Sequence, residues 1–245
     1  PFSTEPFGEL IIQKDWFIGL FGLTNGKLNQ RVAVTPASDN KPSIYGKLGY
    51  DKQIANDLRL RLTGSIYTNG GKTTGQWLYN GDRAGSRYYL VMHTESGDGS
   101  NFDPRINPNL RKVTAIQINP FVKYKGLEFF GVYEMVSGTT PAALSDPNLG
   151  DGQYDQLGLE ILYRFGTNDN LYIGGRYNSV TGTSNKQAAD TDSDRWNIGG
   201  GWFMTRNILA KIEFMNQNYT GDGWSGTRFE GGHINGIVIE AVIGF

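Results

Sequence analysis

The sequence predicts an all-β protein: an antiparallel transmembrane β-barrel of about ten or more strands, with short periplasmic turns and long extracellular loops. Three observations predict it. Apolar and polar residues alternate with period two in segment after segment. The connections between these segments are alternately short and long. No run approaches the roughly 20 apolar residues a membrane helix needs, and the longest, Trp16 to Leu23, is interrupted by Gly19 and Gly22.

The elements follow in order. A short strand is expected at 8–13, and 15–24 is apolar on both faces. A looser segment covers 42–50. Segment 58–67 sets Leu58, Leu60, Leu62 and Ile66 against Arg59, Arg61, Thr63 and Ser65. Looser segments follow at 113–125 and 127–137. Segment 156–165 is the clearest, with Leu157, Leu159, Ile161, Tyr163 and Phe165 opposite Gln156, Glu160 and Arg164. The same alternation runs through 171–178, 195–205 and 208–215, and a last segment spans 233–245. Successive side chains of a strand point to opposite faces, so each segment carries one apolar and one polar row.

Short connections are expected at Asp51 to Asp57, Lys125-Gly126, Gly166 to Asn170 and Thr205 to Asn207. Long polar ones are expected at 25–41, 70–111, 139–152, 180–194 and 220–229. A soluble sandwich has no reason to sort its loops by length in this way. The apolar patch Tyr88-Tyr89-Leu90-Val91-Met92 falls in the longest loop. A strand there would break the alternation, so it is read as loop packed on the barrel or its mouth. Phe245, Ile243, Ala241, Ile239 and Ile237 form an alternating final row, resembling the terminal signal of outer-membrane clients, although Glu240 stands where a small residue is common.

Composition agrees. Glycine supplies 34 of 245 residues, roughly twice its usual share. Aromatic residues make up 13%, yet mean hydropathy is -0.42, as suits a sheet with lipid on one face and water on the other. Cysteine is absent, which excludes disulfides, thiolate metal sites and cysteine nucleophiles. A net charge of -1 gives no support for nucleic-acid binding. No cofactor is implied, because Gly199-Gly200-Gly201 precedes no helix and so is no phosphate loop.

In lipid, every backbone polar group must be paired within the protein, so the sheet is expected to close. About ten strands from Trp16 onward suffice for a small barrel; counting 8–13 makes the number odd, where bacterial barrels are even. The whole of 1–245 thus reads as a single outer-membrane barrel, with the odd count pointing to further strands before Pro1.

The apolar rows face lipid, because an arginine there at mid-depth costs about 2–4 kcal/mol. Tyr163, Tyr177, Trp196 and Trp202 are candidates for aromatic girdles. The polar rows face the lumen, and the candidate pore-lining residues are Lys47, Arg59, Arg61, Lys123, Glu134, Glu160, Arg164, Arg176, Arg195, Lys211 and Glu213. Glu128 and Glu240 join them, and bases outnumber acids. Such rows either select anions, as rings of basic residues do, or cross-link one another in a filled lumen.

The stretches Gly22-Leu23-Thr24-Asn25-Gly26-Lys27-Leu28-Asn29-Gln30, Lys47-Leu48-Gly49-Tyr50-Asp51 and Gly175-Arg176-Tyr177-Asn178 resemble outer-membrane porin-like barrels of the Bacteroidota, distantly similar to the phosphate-selective porin family. The resemblance implies a barrel longer than this chain, and a channel for small hydrophilic solutes or ions with a preference for anions. It supplies no individual ligand.

Enzyme chemistry finds little footing. His93 lies in the long loop and His233 opens the last segment, and neither has a sequence-visible Ser–Asp partnership. Asp190, Asp192 and Asp194 alternate with hydroxyl residues but lack the glycine and distal glutamate of a calcium loop, so they read as solvated loop. The expectation is a non-enzymatic pore in the bacterial outer membrane. Its partners are outer-membrane lipid and lipopolysaccharide, small hydrophilic solutes or anions, and proteins docking on the loops. The alternative is a non-transporting structural or adaptor barrel subunit of an outer-membrane complex.

Overall fold

A computed structural model describes residues 6–26, 39–72, 106, 108 and 110–244. Among these, one antiparallel sheet runs in chain order through β1 (Phe7–Lys14), β2 (Phe17–Thr24), β3 (Ser43–Ala55), β4 (Leu58–Asn69), β5 (Arg111–Tyr124), β6 (Leu127–Thr139), β7 (Gly152–Phe165), β8 (Leu171–Thr183), β9 (Thr191–Thr205), β10 (Ile208–Thr220) and β11 (His233–Ile243). One α-helical turn, α1 (Pro141–Ser145), and a 3-10 turn at Pro147–Leu149 lie between β6 and β7. No helix among the described residues is long and apolar enough to cross a membrane, which says nothing of strands.

Every strand pairs with its neighbours in sequence, as hairpin-connected strands do. The turns are tight where the sequence supplies the conformations. In Lys125-Gly126 the lysine adopts φ 52°, and a Cβ on Gly126 would lie 2.3 Å from the Arg164 carbonyl oxygen. Short turns gather at one end of the sheet and long connections at the other.

The strands exceed the sequence expectation, chiefly at the long-loop end. From β3 to β10 they have 12 to 15 residues. About 9–11 would cross the hydrocarbon. The stretch 180–194 is therefore not all loop: β8 continues to Thr183 and β9 begins at Thr191, which places Asp192 and Asp194 in a strand. β7 likewise begins at Gly152, ahead of the expected 156, and Asp51 belongs to β3 rather than to a turn. These ends are polar on both rows, so hydropathy fades there while backbone pairing carries on.

The expectation of closure is corrected. β1 bonds only to β2 and β11 only to β10, leaving two free edges. Both edge strands run from the long-loop end to the short-turn end.

The register separates two faces. One carries Leu157, Leu159, Ile161, Tyr163 and Phe165 of β7 beside Ile173 and Tyr177 of β8 and Trp196, Ile198 and Trp202 of β9. Most of these side chains are outward and bare, with Ile161 53% and Ile198 61% exposed, while Leu157 and Tyr177 are half-buried. A continuous apolar face of this extent requires an apolar environment. It is bounded at the short-turn end by Tyr124, Tyr163, Phe165 and Trp202. Towards the long loops come Tyr133, Tyr177 and Trp196, the last two rings 4.5 Å apart, and beyond them the same row turns polar with Asp155, Ser179, Asp194 and Asn216. All four sequence candidates for girdles lie on this face.

Candidate functional site

The opposite face holds every sequence candidate. Lys47 comes from β3, Arg59 and Arg61 from β4, Lys123 from β5, and Glu134 from β6. Glu160 and Arg164 lie on β7, Arg176 on β8, Arg195 on β9, and Lys211 and Glu213 on β10. Cross-strand register puts them on one side: Lys47 opposes Ser65, Arg59 opposes Lys123, Arg176 opposes Glu160, and Lys211 opposes Glu240. Cavities open on this face. One of about 260 Å³ is bordered by Glu160, Arg164, Arg176, Lys211 and Glu213. Another of about 330 Å³ is bordered by Lys47, Ser65, Gln117 and Glu134. The polar face is therefore the concave one.

The charges are largely paired. Arg59 grips Asp51 with two hydrogen bonds of 2.8 and 2.7 Å. Glu128 accepts from Lys123 at 3.0 Å and from Arg164 at 3.1 Å, joining three strands. Arg176 Nε donates to Glu160 at 2.7 Å, and Lys211 Nζ lies 2.6 Å from Glu240. Arg195 donates to Gln217, Gln117 to Glu134, and Tyr45 to Glu9. Arg61 sits over the Phe121 ring at 5.0 Å. Lys47 has no ion-pair or hydrogen-bond partner among the described residues.

Pairing changes the electrostatic reading. Read from the sequence alone, this row carries a basic excess. The register adds two carboxylates not assigned there from sequence, Glu9 opposite Gly22 and Asp51 opposite Arg61. Bases and acids are then close to balance, and most cations already face a carboxylate. An ion-pair lattice with adjoining cavities can hold solutes that both donate and accept hydrogen bonds.

Two apolar clusters close over the long-loop end of the same face. Ala115, Val136 and Tyr154 pack with Val113 at the start of β5 and with Leu110 just before it, all of them buried. In the β10–β11 connection, Trp224 and Phe229 fold back on Tyr219, which is 1% exposed, with ring separations of 5.6 and 4.9 Å. Trp224 Nε1 donates to the Asp192 carbonyl at 2.8 Å and pins the connection down. Sequence reading missed both clusters, since a loop's partners leave no period. The Tyr88–Met92 patch, His93 and Phe245 lie outside the described residues. His233 is the first residue of β11, on the row of Ile237 and Ile239.

No protein-family model matches the chain, and no curated protein resembles it in sequence. Among solved structures it is similar to in-vitro folded OmpT, an outer membrane protein of Vibrio cholerae, with a TM-score of 0.51 and 11% identity. The match covers 97% of this chain and 63% of that one, so the chain spans less than two thirds of the similar protein's length. Likeness at this identity is likeness of fold: the chain has the antiparallel sheet of an outer membrane β-barrel, here with its edges open.

Proposed function

We propose that the chain forms much of the wall of an outer-membrane, porin-like channel for passive diffusion of small hydrophilic solutes or ions. The observation that carries this reading is the division of faces. All eleven candidate lining residues lie on a concave face with cavities, while the other face is a bare apolar band between aromatic borders. Such a sheet places water inside and lipid outside. Further strands would join the free edges, and the porin-like barrels of the Bacteroidota remain the family this reading favours. The paired charges support weak selectivity rather than the strong anion preference a basic lining would give.

The test is single-channel conductance in planar bilayers under a salt gradient. Steady conductance with a small reversal potential is expected, moving towards cation preference in Arg61→Glu. Folded protein that conducts nothing would overturn the reading. That outcome favours the adaptor reading, for which one observation speaks: the Leu110–Tyr154 and Tyr219–Trp224–Phe229 clusters cover the long-loop end of the concave face.

A further inference from the structure

The cavity between β7 and β10 is unlike the rest of the lattice in what it leaves unmet. Its floor lacks side chains where Gly174 and Gly199 face each other across β8 and β9. Its cations are engaged: Arg176 with Glu160, Arg164 with Glu128, Lys211 with Glu240. Arg164 also covers the rings of Tyr172 and Phe203, at 5.8 and 6.0 Å. The acceptors are not all engaged. Glu213 accepts one side-chain hydrogen bond, from Asn197 Nδ2 at 2.5 Å, and no Lys or Arg lies within ion-pair distance of it among the described residues. Asn197 borders the same cavity, is 8% exposed, and its Oδ1 has no hydrogen-bond partner. The bond from Nδ2 to a carboxylate fixes the amide orientation, since the oxygen could not take its place against Glu213.

We propose that this cavity is a subsite for the primary ammonium group of a small solute, held by the Glu213 carboxylate beside Asn197. An ammonium brings three donors and no acceptor, which matches a half-exposed carboxylate beside a buried amide oxygen that lacks a donor. A bare anion meets the reverse situation, cations that already hold carboxylates. Lys211 and Arg195 are the cationic neighbours of Glu213; Glu240 holds the Lys211 Nζ at 2.6 Å, and Arg195 donates to Gln217. The volume, about 260 Å³, suits a solute of a few heavy atoms beyond the amine. This deepens the channel reading, on which it rests for the solute's route, by naming a chemical group the wall would retain.

The experiment is calorimetric or ligand-observed NMR titration of the protein folded in detergent micelles, with three probes of one size: ethanolamine, ethylene glycol and glycolate. Ethanolamine should bind more tightly than the other two by at least about tenfold, the worth of one charge-assisted hydrogen bond. Glu213→Gln, which keeps the shape and the bond from Asn197, should remove that preference. Lys47→Gln, at the other cavity, should leave it intact. Glycolate binding as well as ethanolamine does, or no ethanolamine binding by folded wild-type protein, overturns the inference without any variant. So does an unchanged preference in Glu213→Gln. Binding in micelles needs no conductance. Protein that conducts but shows no amine preference sinks this inference alone, and protein that prefers the amine but conducts nothing sinks the channel alone.

Discussion

Replacing Ile161 with arginine asks whether the bare face lies in hydrocarbon. Ile161 is the central member of the outward row of β7, with Tyr163 and Phe165 on one side and Leu159 and Leu157 on the other. Four residues separate it from either end of that row, about 13 Å along the strand at 3.3–3.4 Å per residue. At a tilt near 40° this is about 10 Å of depth on each side, close to the middle of an apolar band about 25 Å tall. Its lateral neighbours are Phe129 and Gly175, which offer an arginine no counter-charge. The expected cost of Ile161→Arg in a bilayer is about 2–4 kcal/mol. Gln156→Arg is the matched control. It lies on the same strand, on the concave face, exposed, and should stay within about 0.5 kcal/mol of wild type. The assay is urea unfolding of protein inserted in phosphatidylcholine vesicles, followed by tryptophan fluorescence and by the gel mobility of the folded form. Equal costs for the two substitutions would refute the assignment of the faces.

Two further outcomes follow from particular contacts. Glu128→Gln removes the carboxylate shared by Lys123 and Arg164. With one negative charge fewer on a nearly balanced face, the reversal potential should move towards anions, and stability should fall by about 1 kcal/mol, since these groups are partly exposed. Trp224→Ala removes two ring contacts and the bond to the Asp192 carbonyl. The β10–β11 connection should loosen, and tryptic cleavage after Arg228 should speed up by about tenfold or more while the strands stay protected.

The sequence made the side of each candidate legible and left its partner hidden. A strand's side chains alternate by covalent geometry, so Arg59 and Arg61 had to share a face and Leu60 had to take the other. That Arg59 holds Asp51, or that Glu128 bridges Lys123 and Arg164, depends on which residues of neighbouring strands come level. Register is set between strands, and a one-residue slip would rewrite every such pair. Strand ends were legible only where lipid demands apolar residues. At Asp192, Asp194 and Ser179 the outward row is already polar, and nothing in hydropathy separates a paired strand from a loop. Asp51 reads as turn for the same reason. The glycines of β8 and β9 were visible as a run but not as a floor, which required Gly174 and Gly199 to meet.

The direction of the two free edges constrains whatever completes this wall. β1 and β11 descend together, so joining them to each other would make a parallel seam in an otherwise antiparallel sheet, with slanted hydrogen bonds of slightly lower stability. A second copy turned about the membrane normal keeps the same direction and would make two such seams. A seam of the common kind needs an ascending strand beside β1 and another beside β11, or a single one serving both, with descending strands filling any gap between them. The inserted set then always contains one more ascending than descending strand. This asymmetry belongs to the hairpin order of the described strands alone, and it holds whatever the inserted residues are.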